Sequence, residues 1–211
     1  MITRRVKYLF LASAFLFTVS CEEFANVEPF VYNLVSVDTD SKGNFYQIRD
    51  DYGKVLAITA NECETDGNTP DSTYRMICNY IEYEDNTALL NSANEIISCI
   101  ARPLSYFDGH EIKKDPLDVQ SFWVSGGYLN IVLEIKGLNK PHSLSPIDYS
   151  TDTEVIFGFY HDQNSDVQSY TKNAYVSIPL WPYPFLQQGD IIIFSVMDYD
   201  GEEKTYRLEY K

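Results

Sequence analysis

The chain has 211 residues, with 16 Lys and Arg against 31 Asp and Glu and a net charge of −15. Its bases are scattered, the densest pairing being Lys113-Lys114; this argues against a nucleic-acid partner, because holding a phosphate backbone requires clustered Lys and Arg. The acidic excess favours solubility and keeps the body off anionic headgroups, while 15% aromatic residues, 17 of them Tyr, point to sheet in one large domain or two small ones.

The chain opens on "MITRRVKYLFLASAFLFTVSCEE". Arg4, Arg5 and Lys7 precede an apolar run from Tyr8 to Val19, which has the form of a secretory signal peptide over residues 1–20. That run is shorter than the roughly 20 apolar residues a spanning helix needs. Removing 20 of the 211 residues leaves 191, with 13 bases and 31 acids and a net charge of −18. Thr18-Val19-Ser20-Cys21 resembles a bacterial lipobox, although Thr18 stands where leucine is usual. The resemblance implies that Cys21 becomes the mature N-terminus and carries diacylglycerol and a fatty acyl group. Each buried CH₂ contributes about 0.8 kcal/mol, so the acylated Cys21 is expected to hold the body at a membrane. Residues 21–29 then form a lipidated tether. Glu22-Glu23 looks like the export signal of surface-exposed lipoproteins in certain anaerobic Gram-negative bacteria; it is equally a polar, mobile spacer. The expected address is the outer membrane of a Gram-negative bacterium, facing either the surface or the periplasm.

Residues 30–107 read as a small OB-like barrel. "FVYNLVSVD", "FYQIRD" and "KVLAI" are strands joined by Gly-containing turns, and the polar loop "NECETDGNTPDS" precedes the strand "TYRMICNYIEY". "NTALLNSAN" reads as a connection with one helical turn, and "EIISCIARPL" as the fifth strand. Five strands with the longest interruption after the third suit that barrel. A polar seam, "SYFDGHEIKKDPLD", covers 105–118.

Residues 115–211 read as a β-sandwich of about seven strands, immunoglobulin-like in kind. It begins with "SFWVSGGYLNIVLEI". Gly126-Gly127 suits a two-residue type I′ turn, in which both residues take positive φ; a phosphate cradle would need a helix directly after the glycines, and the sequence alternates instead. The turn sets Ser125 against Tyr128, Val124 against Leu129, Trp123 against Asn130 and Phe122 against Ile131. Phe122, Val124, Leu129, Ile131, Leu133 and Ile135 then share a core face. Trp123, Tyr128, Asn130 and Glu134 fall on the other, and Trp123 is expected to pack at the interdomain side, since a large indole is rarely left in water. "HSLSPID", "TEVIFGFYH", "AYVSIPL", "DIIIFSVMD" and "KTYRLEYK" supply the remaining strands.

Few residues suggest chemistry. His110, His142 and His161 belong to no nucleophile motif; His142 and His161 can meet across neighbouring strands, as structural imidazoles rather than as a metal pair lacking a third ligand. Asp198, Asp200, Glu202 and Glu203 in "DYDGEE" offer calcium-type oxygens, but a tight Asp-Gly turn accounts for them, and no metal or cofactor is expected. Cys63, Cys78 and Cys99 are odd in number, so at least one thiol is left over even if an exported address permits a disulfide. In "PLWPYPFL", three prolines favour an edge or extended connection carrying Trp181, Tyr183 and Phe185. These aromatics either form a contact surface for sugar or protein or close the end of the sandwich.

Together, "FWVSGGYLNI", "KPHSLSPI", "IFGFYHDQNSD", the closing "GEEKTYRLEYK" and the early "GNFYQIRDDYGKVL" resemble the NigD-like lipoproteins over nearly the whole mature chain. Tyr160 stands where that family usually has an arginine before the histidine. The resemblance implies an OB-like domain followed by a β-sandwich, lipid anchorage in anaerobic Gram-negative bacteria, and a role in bacteriocin production or immunity. The resulting expectation is a non-enzymatic envelope protein that binds another macromolecule, an unidentified protein or glycan; the alternative is a glycan- or peptide-binding surface module.

Overall fold

The computed structural model describes residues 29–107 and 109–211; the signal segment, Cys21 and the tether up to residue 28 lie outside it. Five strands form the first unit: β1 (Phe30–Thr39), β2 (Phe45–Arg49), β3 (Val55–Asn61), β4 (Thr73–Glu82) and β5 (Thr87–Glu95). They close into a barrel of order β1-β2-β3-β5-β4. The antiparallel β1–β4 pairing from Phe30↔Ile81 to Asp38↔Thr73 shuts it, and β3 and β5 run parallel. This is the small OB-type barrel read from the sequence. Its interior is filled by side chains two residues apart on each strand, among them Val35 and Val37, Met76, Cys78 and Tyr80, and Ala88 and Leu90.

The fifth strand lies elsewhere than expected. "NTALLNSAN" is itself β5, because Ala88 and Leu90 bury in the barrel at the two-residue spacing of a strand. "EIISCIARPL" instead leaves the barrel. Its pieces β6 (Ile97–Ser98) and β7 (Arg102–Pro103) pair in parallel with strands of the second unit, and Ile97 and Ala101 pack in that unit's core.

The second unit is a sandwich. Beyond the short 3₁₀ turn Leu104–Phe107 come β8 (Asp118–Ser125), β9 (Tyr128–Gly137), β10 (Ser143–Asp148), β11 (Val155–Asp162), β12 (Tyr170–Pro179), β13 (Ile191–Met197) and β14 (Glu203–Glu209). One sheet has the order β14-β13-β11-β10-β7 and the other β6-β12-β9-β8. The seven expected strands are thus joined by two short ones from the 97–103 run.

The seam also belongs to this body. Phe107 stacks on Tyr160 with ring centroids 5.7 Å apart, Leu117 is buried, and the Asp115, His161 and Leu117 amides donate to the carbonyls of His161, Lys113 and Met197 respectively. The hairpin register is the one read from Gly-Gly, with Ser125↔Tyr128, Val124↔Leu129, Trp123↔Asn130 and Phe122↔Ile131. Gly126 and Gly127 have φ of 59° and 81°. The core face is as expected: Leu129, Ile131 and Leu133 are buried, and Phe122, Val124 and Ile135 pack against them.

Candidate functional site

The opposite face of that hairpin meets the barrel. Strand β4 has cover on both sides: Met76 and Cys78 point into the barrel, while Arg75 points toward the sandwich and is buried. The Arg75 guanidinium forms a two-point ion pair with Asp51 at 2.5 and 2.7 Å, their side chains only 2% and 9% exposed. It also donates to Asn130 Oδ1 at 3.1 Å and, through Nε, to Ser177 Oγ at 3.4 Å, and it lies 4.7 Å over the Tyr128 ring. Ser177 donates to Asn130 Oδ1 at 2.6 Å, and Ser125 donates to Asp51 Oδ2 at 2.5 Å. The polar face of β8, β9 and β12 therefore supplies the hydrogen bonds that a buried ion pair needs.

Gly126 is required twice here. Its φ is positive, and a Cβ at this position would collide with the Asp51 carboxylate. Trp123 is half-buried and donates its indole N–H to Ser125 Oγ at 3.0 Å. It reaches the barrel through Ser125 and belongs to neither apolar core.

The other singled-out residues separate. "PLWPYPFL" is a pair of successive turns rather than an extended edge: the Tyr183 amide bonds to the Leu180 carbonyl, and the Leu186 amide to that of Tyr183. Trp181 is 70% exposed. Tyr183 is buried against Phe157, and Phe185 packs partly on the core; both serve the closure of the sandwich end, and Trp181 and Tyr183 line one shallow concavity beside the Gly-Gly turn. Burial raises the Tyr183 phenol's pKa, as does the nearby Asp148 carboxylate.

Asp198 Oδ1 accepts the amides of Asp200 and Glu202, and Oδ2 pairs with Lys204 at 2.6 Å, so the turn engages both oxygens that calcium would use. Among the described residues no group of three His, Cys, Asp or Glu is placed to hold a metal. Cys63, Cys78 and Cys99 are free thiols. Burial in the barrel pushes Cys78 up to about 12.

His142 and His161 do meet, Nδ1 to Nε2, at 3.0 Å. His161 Nδ1 lies 2.9 Å from the Asp115 carbonyl, and that acceptor assigns the Nδ1–H tautomer. Its Nε2 then accepts from His142 Nδ1–H. His142 Nε2 lies 3.4 Å from Asp166 Oδ2, too far for a good hydrogen bond. Both groups rest on Gly137, where a Cβ would lie 2.8 Å from Asp166 Oδ2. Burial works to raise the Asp166 carboxyl, but the amides of Leu138, Asn139, Val167 and Lys140 overcome it and hold the group well below the usual carboxylate range.

A concavity of about 890 Å³ was not singled out in the sequence. It lies between the 99–107 segment and β10, and its wall includes Cys99, Arg102, Tyr106, Leu144 and Tyr160. Arg102 lies 4.2 Å over the Tyr106 ring. Burial pushes the Cys99 thiol up, against the opposing pull of Arg102 and Ser145, which is the reverse of an activated nucleophile. Arg102 was read as part of a barrel strand, and nothing in "IARPL" says that this segment crosses to another sheet.

The sandwich and its edge segment coincide with a known domain: the profile of the NigD-like C-terminal beta sandwich domain matches residues 102–210. No curated protein matches the chain. Among solved structures, a NigD-like immunity protein from Bacteroides caccae is 26% identical with a TM-score of 0.70, the alignment covering 85% of this chain and 96% of that one. A candidate toxin-related protein from Parabacteroides distasonis is 19% identical with a TM-score of 0.71, covering 87% and 94%. A candidate lipoprotein from Bacteroides fragilis is 15% identical with a TM-score of 0.61, covering 87% and 99%; these last two likenesses speak to the fold. With a profile match over more than half its length and the barrel-plus-sandwich architecture, the chain belongs to the NigD-like family.

Proposed function

We propose that the protein is a non-enzymatic envelope lipoprotein, anchored through acylated Cys21, that binds another macromolecule in a bacteriocin- or toxin-immunity role. The observation that carries this reading is the likeness over 85% of the chain to a solved NigD-like immunity protein. The buried Arg75–Asp51 pair adds support, since it ties the two β-units together across their junction. A likeness to a candidate lipoprotein supports the anchor, and no helix among the described residues is long and apolar enough to cross a membrane.

Deleting the gene and challenging the strain with bacteriocins of related bacteria tests the role: sensitivity should rise and be restored by the intact gene. Unchanged sensitivity would reject immunity. The anchor is tested separately by metabolic labelling with a fatty acid, which should mark the wild-type protein and not Cys21→Ala.

The 70% exposure of Trp181 favours a second reading, a surface module for glycans. A glycan array decides that reading; binding lost in Trp181→Ala would support it.

A further inference from the structure

The 99–107 cleft joins three features that an isolated surface has no need of. The first is charge. In a chain with about twice as many acids as bases, Arg102 has no carboxylate partner among the described residues. Its guanidinium carbon lies 4.2 Å over the Tyr106 ring, and a guanidinium that meets a ring with its face keeps its in-plane N–H groups for two-point recognition of a carboxylate. Lys113, on the same wall, is already taken by Asp162 at 2.7 Å.

The second is apolar exposure. Tyr106, on the run that carries Arg102, lines the cleft and is 58% exposed. The third is an open strand edge. The Tyr149 amide bonds to Ile156 across the β10–β11 pair, and counting back by twos along β10 turns the backbone groups of Leu144 away from β11. Only Ile147 and Asp148 of β10 are covered by β7, so the Leu144 N–H and C=O face the cleft. Pro146 occupies the next outward position and has no N–H to offer. The edge therefore takes a short extended segment rather than a full added strand.

We infer that this cleft docks a short, extended, acidic peptide segment of a protein partner, with Arg102 receiving its carboxylate, Leu144 its backbone, and Tyr106 an apolar side chain. The inference rests on the protein-binding reading above. The volume of about 890 Å³ lies within the range of sites that enclose ligands of that size.

The test uses full-length protein on an array of immobilised hexapeptides of Leu, Tyr, Val and Ser carrying zero to three Glu, with a matched set carrying Lys. Retention should rise with Glu content and fall with added salt. Arg102→Glu should weaken the Glu peptides at least ten-fold and strengthen the Lys peptides, without changing the melting temperature, because Arg102 is exposed. Trp181→Ala should leave retention unchanged. Retention of no peptide, retention indifferent to Glu content or to Arg102→Glu, or binding at Arg102 only of an acidic glycan would overturn the proposal. Peptide binding through Arg102 in a protein whose deletion leaves bacteriocin sensitivity unchanged would reject the immunity role and keep the cleft. Increased sensitivity restored equally by wild type and Arg102→Glu would reject the cleft alone.

Discussion

Arg75 and His161 are the two residues whose burial has the largest consequences. Removing one partner of a buried, hydrogen-bonded ion pair leaves an uncompensated charge, at a cost of about 3–5 kcal/mol. Asp51→Ala should lose that much in chemical denaturation, because the Arg75 side chain is only 2% exposed. Replacing both partners by apolar residues should cost less than either single change. His161 sets a pH dependence. Burial holds its imidazole below the ordinary histidine value, and the nearby His142 works in the same direction against the Asp115 carbonyl, which pulls upward. The unfolded chain therefore takes up a proton near pH 6.5 while the folded chain resists it. The stability from neutral His161 is full above that pH and is lost as the pH falls below it; the depressed carboxyls of Asp162, Asp166 and Asp198 act in a lower window, below their unfolded values. Thermal melts between pH 7 and 5 should show the slope, and His161→Gln should flatten it; an undiminished slope would place its origin at another group.

At the scale of elements, the Gly-Gly hairpin was legible to its register because a two-residue turn with two positive φ values leaves one alignment of the strands. What its polar face meets was not legible, since Asp51 comes from another strand pair 75 residues earlier. Gly126→Ala is expected to lose about 1–3 kcal/mol through backbone strain, with more from displacing Asp51. Gly127→Ala should lose only the strain, as no atom lies within 4 Å of its Cβ position. Strand β14 is the terminal element on which one sheet ends. Tyr206 stacks on Phe194 at 4.9 Å and meets Phe122 at 5.4 Å, and the Tyr210 amide and carbonyl bond to Asp190 and Gly189. Truncation after Gly201 should abolish soluble, protease-resistant protein, whereas removing Lys211 alone should not.

For the whole molecule, the interdomain network predicts cooperation. The barrel and the sandwich each have their own apolar core, yet Arg75, Asp51, Ser125, Asn130 and Ser177 satisfy one another across the junction. Neither unit can part without exposing or stranding these groups. Calorimetry should give one transition for the wild type and two for Asp51→Ala; two transitions in the wild type would show the network too weak to couple the units. Trp123→Ala should act in the same direction and more weakly, because its link to the barrel runs through Ser125.

The sequence alone determined what depends on local period and turn chemistry: an all-β chain, an OB-like barrel before a sandwich, the hairpin register and the family resemblance. Strand alternation and paired glycines are written in neighbouring residues, so they survive without the fold. Tertiary structure decided which sheet each marginal segment joins. "NTALLNSAN" becomes a strand only because the barrel offers β3 and β4 to pair with, and "EIISCIARPL" leaves the barrel because the sandwich core takes Ile97 and Ala101. It also decided that Tyr183 is buried while Trp181 is free, that Arg75 reaches Asp51, and that Arg102 stands beside an open strand edge. Those are meetings between residues far apart in the chain, and long-range pairing carries no period that a single sequence displays.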